Sequence, residues 1–117
     1  MAEIEMFHNP RCSKSRGALE LLGERGADVE VVEYLKAPPD RATLERILDA
    51  IDDPPDALVR RDPKFSELGL THADVATRDG VITVLLEHPE LMQRPVLLRD
   101  GRGVIARPSE RAMEMLE

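Results

Sequence analysis

Cysteine occurs once in this 117-residue chain, at position 12, in the stretch His8-Asn9-Pro10-Arg11-Cys12-Ser13-Lys14-Ser15-Arg16. A thiol attacks as its thiolate, so the neighbours that favour the anion matter most. Arg11, Lys14 and Arg16 are cationic, and His8 lies four residues upstream. The polar stretch also ends where a helical pattern begins. Unpaired backbone amides and the positive end of the helix dipole at such a start bring thiol pKa values down to roughly 3.5–7.5. A buried structural cysteine is the ordinary alternative. It fits poorly beside Pro10, Arg11, Ser13, Lys14 and Ser15. Cys12 is therefore read as a reactive thiol.

Spacing narrows the chemistry. A phosphatase loop needs a longer run between its Cys and Arg to wrap amides round a phosphate; here only three residues separate Cys12 from Arg16. A dithiol oxidoreductase needs Cys-x-x-Cys, and the stretch here is Cys12-Ser13-Lys14-Ser15. Two chemistries stay open. One is monothiol exchange, for which Cys-x-x-Ser is the single-thiol form. The other is attack on an oxyanion, with outside thiols completing the reaction.

The elements that must position Cys12 follow from periodicity. Residues 3–7 alternate as a strand, and His8 to Arg11 break it. Ser13 to Arg25 reads as a helix with Ala18, Leu19, Leu21 and Leu22 as its apolar stripe, and Gly26 suits the position past its end. Gly17 within it suits a close backbone approach. Val29 to Leu35 reads as a second strand. Asp40 opens a helix carrying Leu44, Ile47, Leu48 and Ile51 on one face. A short helical piece is expected over Ala57–Arg61, and a longer helix over Thr77–Glu87 capped by Thr77. Pro95–Leu98 and Val104–Ala106 read as strands joined at Asp100-Gly101. Pro108 suits the first turn of a last helix. The order β-α-β, helical insert, β-β-α predicts an α/β fold: a thioredoxin-like four-stranded mixed sheet in a single domain, residues 1–117, with the insert at about 40–90.

Composition excludes several function classes. One cysteine allows neither an internal disulfide nor a zinc site with two or more cysteines. The formal charge of −7 argues against nucleic acid and against anionic membrane surfaces as partners. Aromatic residues are 3%, too few for base-stacking platforms. No apolar run reaches the ~20 residues of a membrane span, and none follows the acidic start in the manner of a signal peptide. A cytoplasmic location is expected. Arginine makes up 13 of the 16 basic residues, which reads either as genomic base composition or as a choice suited to planar, bidentate oxyanion recognition. Arg94 precedes a predicted strand and Arg107 follows one, so both are expected at sheet ends. His72 and His88 have no such company and read as structural.

The stretch from His8 to Arg16 resembles the active-site loop of the glutaredoxin- and glutathione-coupled arsenate reductases and their relatives of unassigned substrate. The resemblance continues in family order through Tyr34-Leu35, Pro38-Pro39, Leu58-Val59-Arg60, Glu67-Leu68-Gly69-Leu70, His88-Pro89, Arg94-Pro95-Val96 and Arg107-Pro108-Ser109-Glu110. One departure is the basic Ser13-Lys14-Ser15, where well-known members carry small neutral residues. The resemblance implies an arsenate reductase in which Cys12 is the nucleophile. Arg60, Arg94 and Arg107 would bind the oxyanion, with Arg61 sharing the claim to the first position. His8 and Arg16 would stabilise the thiolate, and Pro95 would be a cis proline. It implies no metal and no bound cofactor, with glutathione as co-substrate and glutaredoxin as protein partner. The rival readings are a monothiol glutathione-dependent oxidoreductase and, third, a transcription-regulator-like interaction protein of the same fold.

Overall fold

A computed structural model describes residues 3–116; the outermost three positions of the expected domain lie outside the described residues. Strand β1 (Ile4–His8) is followed by helix α1 (Ser13–Glu24) and strand β2 (Val29–Glu33). A helical stretch follows: α2 (Arg41–Ala50), α3 (Pro63–Glu67) and α4 (Arg78–Glu87), with 3-10 turns over Pro55–Leu58, His72–Val75 and Pro89–Leu91. Strands β3 (Val96–Arg99) and β4 (Arg102–Ile105) then form a hairpin before a last 3-10 segment, Ser109–Leu116. The sheet order is β2-β1-β3-β4, with β1 parallel to β2 and antiparallel to β3.

Alternation along the strands makes two cores. Ile4, Met6, Leu97 and Val104 face α1 and the last 3-10 segment, packing with Ala18, Leu22, Ala112 and Met115. Phe7, Val96, Leu98 and Ile105 face the helical insert, packing with Leu44, Ile47, Val81 and Leu85. Both faces of the sheet are covered, as a βαβ unit with added helices requires. Leu85 is fully buried in the second cluster. Leu85→Ala is expected to cost about 2–5 kcal/mol, read as a lower urea midpoint at unchanged slope; an unmoved midpoint would contradict this packing.

Local chemistry sets the boundaries. Asp40 and Thr77 cap α2 and α4 by accepting from the amides of Thr43 and Gly80. Asp100 and Gly101 both have positive φ, as a type I′ hairpin turn needs. A Cβ on Gly17 would lie 3.1 Å from Ser109 Oγ, so α1 approaches the last segment closely there, as the sequence suggested.

Several boundaries differ from expectation, and the hairpin strands, expected over Pro95–Leu98 and Val104–Ala106, span Val96–Arg99 and Arg102–Ile105. His8 is the final residue of β1 rather than part of the break. β2 stops at Glu33 because the amides of Lys36 and Ala37 both donate to the Glu33 carbonyl and turn the chain. The helical piece expected over Ala57–Arg61 is a 3-10 turn over Pro55–Leu58, since Val59 is extended and bridges Met92. Pro108 does not open a helix: its bond to Arg107 is cis, and the 3-10 segment starts one residue later. The α3 helix, capped by Asp62, and the turn at 72–75 were not foreseen.

Candidate active site

The sheet brings the site together at one end. β1 pairs His8 with Glu33 of β2 and Phe7 with Val96 of β3. One step past the first pair sets Asn9 beside Tyr34; two steps past the second set Asn9 beside Arg94. On the far side the Ala106 amide donates to the Pro95 carbonyl at 2.9 Å, which carries Arg107 to Arg94. Tyr34, Asn9, Arg94 and Arg107 therefore form a row across the ends of all four strands. The Arg94–Pro95 bond is cis, as the resemblance implied.

Cys12 sits above this row as the N-cap of α1, where the chain turns back over Asn9: the Cys12 amide donates to the Asn9 carbonyl at 3.0 Å. Its thiol closes no capping hydrogen bond, but the Lys14 and Ser15 amides in the first helical turn point at the sulfur and favour its anion. The Arg107 guanidinium donates at 3.8 Å to Cys12 Sγ and at 3.0 Å to the Arg94 carbonyl. The Arg94 guanidinium also faces the sulfur. Partial burial pushes the thiol pKa up, yet the Arg94 hydrogen bond and charge with the two amides outweigh it and bring it to about 7. At 3.8 Å, Arg107 is at the long limit of an N–H···S contact, so Arg94 and the amides govern the proton.

This sets a pH dependence. The alkylation rate of Cys12 should rise with pH and reach half its plateau near pH 7, against about 8.5 for a free thiol. Iodoacetamide kinetics across pH 5–10 read the midpoint directly; a midpoint at the free value would remove the activated thiol.

His8 and Arg16, expected to stabilise the thiolate, make their hydrogen bonds to the loop that carries it. His8 is buried, and burial lowers its pKa, opposed by Glu33 and aided by Arg16, so the ring is neutral. Its Nδ1 lies 2.7 Å from Ser15 Oγ, and that hydroxyl also accepts from the Asn9 amide at 3.1 Å. The neutral ring and the Ser15 hydroxyl share one hydrogen bond through Nδ1. His8 thus fixes Ser15, whose amide faces the sulfur, rather than supplying a charge. Arg16 Nη1 donates to the Pro10 carbonyl at 2.9 Å and braces the loop. Sequence reasoning missed Ser15. Its one signal was the spacing of seven between His8 and Ser15, which matters only once β1 and α1 lie side by side.

Arg60 reaches the same region through the bridge of Val59 to Met92, with its amide donating to the Leu91 carbonyl at 2.7 Å. Its guanidinium is held by Asp62 at 3.0 Å and acts electrostatically on Tyr34. Arg61 instead pairs with Asp56 at 3.1 Å and is exposed. Of the two neighbours, Arg60 is the one beside the row. Among the described residues, no group of three or more His, Cys, Asp or Glu side chains gathers that could hold a metal ion. Nor is any described helix long and apolar enough to cross a membrane.

A four-stranded mixed sheet with a lone activated cysteine at the start of its first helix defines a thioredoxin-like domain of the single-cysteine kind. The family model described as the ArsC family matches residues 7–115, and the chain belongs to that family. It is 42% identical over 112 residues to an arsenate reductase of Neisseria meningitidis, covering 94% of this chain and 95% of the relative. It is 34% identical over 117 residues to an arsenate reductase of Escherichia coli, covering 99% and 82%. A solved structure of an arsenate reductase from Vibrio cholerae superposes with a TM-score of 0.86 at 30% identity, covering 97% of this chain and 98% of that one.

Proposed function

We propose that the protein reduces arsenate to arsenite, with the Cys12 thiolate as nucleophile. The observation that carries this is the convergence of Arg94, Arg107 and the first amides of α1 on the sulfur of the chain's sole cysteine. A tetrahedral dianion is the ligand that suits two guanidiniums and a helix start. Cys12 attacks arsenic, and loss of water leaves a sulfur–arsenic bond. Arg94 and Arg107 hold the oxygens while charge shifts onto them. Arg60 completes the cationic wall once an oxyanion competes with Asp62 for its guanidinium.

Taking arsenic from the +5 to the +3 state needs two electrons, which two thiols supply by becoming a disulfide. The chain has one cysteine, so at least one of those thiols comes from outside. Glutathione supplies the second sulfur, and glutaredoxin or further glutathione closes the disulfide and releases arsenite. No metal or bound cofactor takes part. The reading carries a cytoplasmic location, where the glutathione pool keeps a lone thiol reduced.

Arsenate should protect Cys12 from iodoacetamide at pH 7, with the rate falling in proportion to occupancy. An unprotected thiol would sink this reading and leave the monothiol exchange enzyme as the stronger one, since that chemistry needs no oxyanion site.

A further inference from the structure

Among the described residues three buried polar atoms lack a well-formed hydrogen bond, the Tyr34 hydroxyl, Arg94 Nε and Gln93 Oε1, and the first two lie at the same end of the sheet. Tyr34 is fully buried, yet it ends in a group that water would otherwise satisfy. The strand register sets Tyr34 and Arg94 on either side of Asn9. Burial dominates and raises the hydroxyl's pKa, opposed by the charges of Arg94 and Arg60 and by loose hydrogen bonds from the Asn9 and Arg94 side chains. The two orphans are complementary. An Nε–H only donates, and a phenol oxygen accepts. Asn9 Oδ1 is already engaged by the Arg11 amide at 2.9 Å, while Gln93 Oε1 is a second unpaired acceptor. The Arg94 backbone is pinned through its carbonyl by Arg107, so the plane of its guanidinium is what remains to be set.

We propose that Tyr34 is a positioning residue for Arg94: its hydroxyl accepts the Nε–H bond when the guanidinium turns its outer edge to a tetrahedral oxyanion. In the free protein the guanidinium hydrogen-bonds the Cys12 sulfur and touches the phenol only loosely, and its Nε–H goes unpaired. An arriving oxyanion takes the outer N–H groups in bidentate fashion, and the small rotation this needs brings Nε to the phenol. Part of the binding energy then comes from the Nε–H bond that the free protein lacks. The inference rests on the arsenate-binding reading above.

Tyr34→Phe removes the hydroxyl and nothing else. The measurement is protection of Cys12 from iodoacetamide by arsenate, with thermal unfolding and the arsenate-free alkylation midpoint alongside. The expected result is a protection constant raised about tenfold, an unchanged midpoint, and a thermal midpoint close to wild type, because the lost hydroxyl makes only loose contacts in the free protein. Arg94→Lys keeps the charge but has no Nε–H, so adding Tyr34→Phe to it should change protection no further. Protection of Tyr34→Phe equal to wild type overturns the inference. So does an undiminished tenfold effect in the Arg94→Lys background. So does a loss of protection accompanied by lower thermal stability and a shifted midpoint, which marks a structural role. Failure of the wild type itself to be protected overturns the functional reading and this inference together, and is distinct from failure at Tyr34 alone.

Discussion

Replacing Cys12 by Ser is expected to abolish arsenate-dependent turnover, a loss of roughly 10³-fold or more. The reason is the acidity of the attacking atom. The thiol at position 12 is brought to about 7, so half of it is thiolate at neutral pH. A serine hydroxyl in the same place stays protonated, because its pKa lies far above that of a thiol and the Nδ1 of His8 is engaged by Ser15 at 2.7 Å. No second thiol exists to take over. Folding should be intact, since Cys12 is a half-buried N-cap and Ser is favoured at that position. The check is a turnover assay beside a thermal melt. Residual turnover above background in a well-folded Cys12→Ser protein would remove the mechanism.

The second large effect separates the arginines. Arg94→Ala should lose both functions of that side chain. Without its hydrogen bond and charge the alkylation midpoint should move up from about 7 toward the free-thiol value. Loss of one oxyanion donor should also lower kcat/KM for arsenate by roughly 10²–10³-fold. Arg107→Ala should match the second effect without the first, because its contact with the sulfur is long, at 3.8 Å. The gap between the two variants should be widest at and below about pH 7 and should close above about pH 9, where both thiols are ionised. The pH–rate profiles of both variants test this. Identical midpoints in the two would contradict the division of labour. Arg60→Ala should cost less than either, as its guanidinium is already neutralised by Asp62 at 3.0 Å.

Much of this was legible in the chain. The polar and apolar alternation around Cys12 revealed a strand, a turn and a helix start, and a thiol at a helix start is activated wherever it occurs. Arg94 and Arg107 could be set at strand ends because the Asp100-Gly101 turn fixes the hairpin on either side of it. What periodicity could not show was lateral register. Tyr34 and Arg94 are 60 positions apart, and only the pairing of β1 with both β2 and β3 sets them beside Asn9. The same limit hid Ser15. It also left Arg60 and Arg61 undivided until the bridge of Val59 to Met92 showed which side of that segment faces the sheet. The insert was the least readable part. Its short helices depend on side-chain caps such as Asp62 and the Thr71–Asp74 pair, and on packing against α4, more than on any apolar repeat.

The charge balance also takes on a narrower meaning. A net charge of −7 excludes an extended polyanion as partner, yet Cys12 lies among Arg94, Arg107 and helix amides. A small anion responds to that local field and not to the total.

The most direct test supplies the purified protein with arsenate, glutathione, glutaredoxin, glutathione reductase and NADPH, and follows both NADPH oxidation and arsenite. The account predicts one arsenite formed per NADPH oxidised, with no turnover when arsenate, glutathione or the Cys12 thiol is withheld. NADPH oxidation that proceeds equally without arsenate, or the absence of arsenite with every component present, would contradict it.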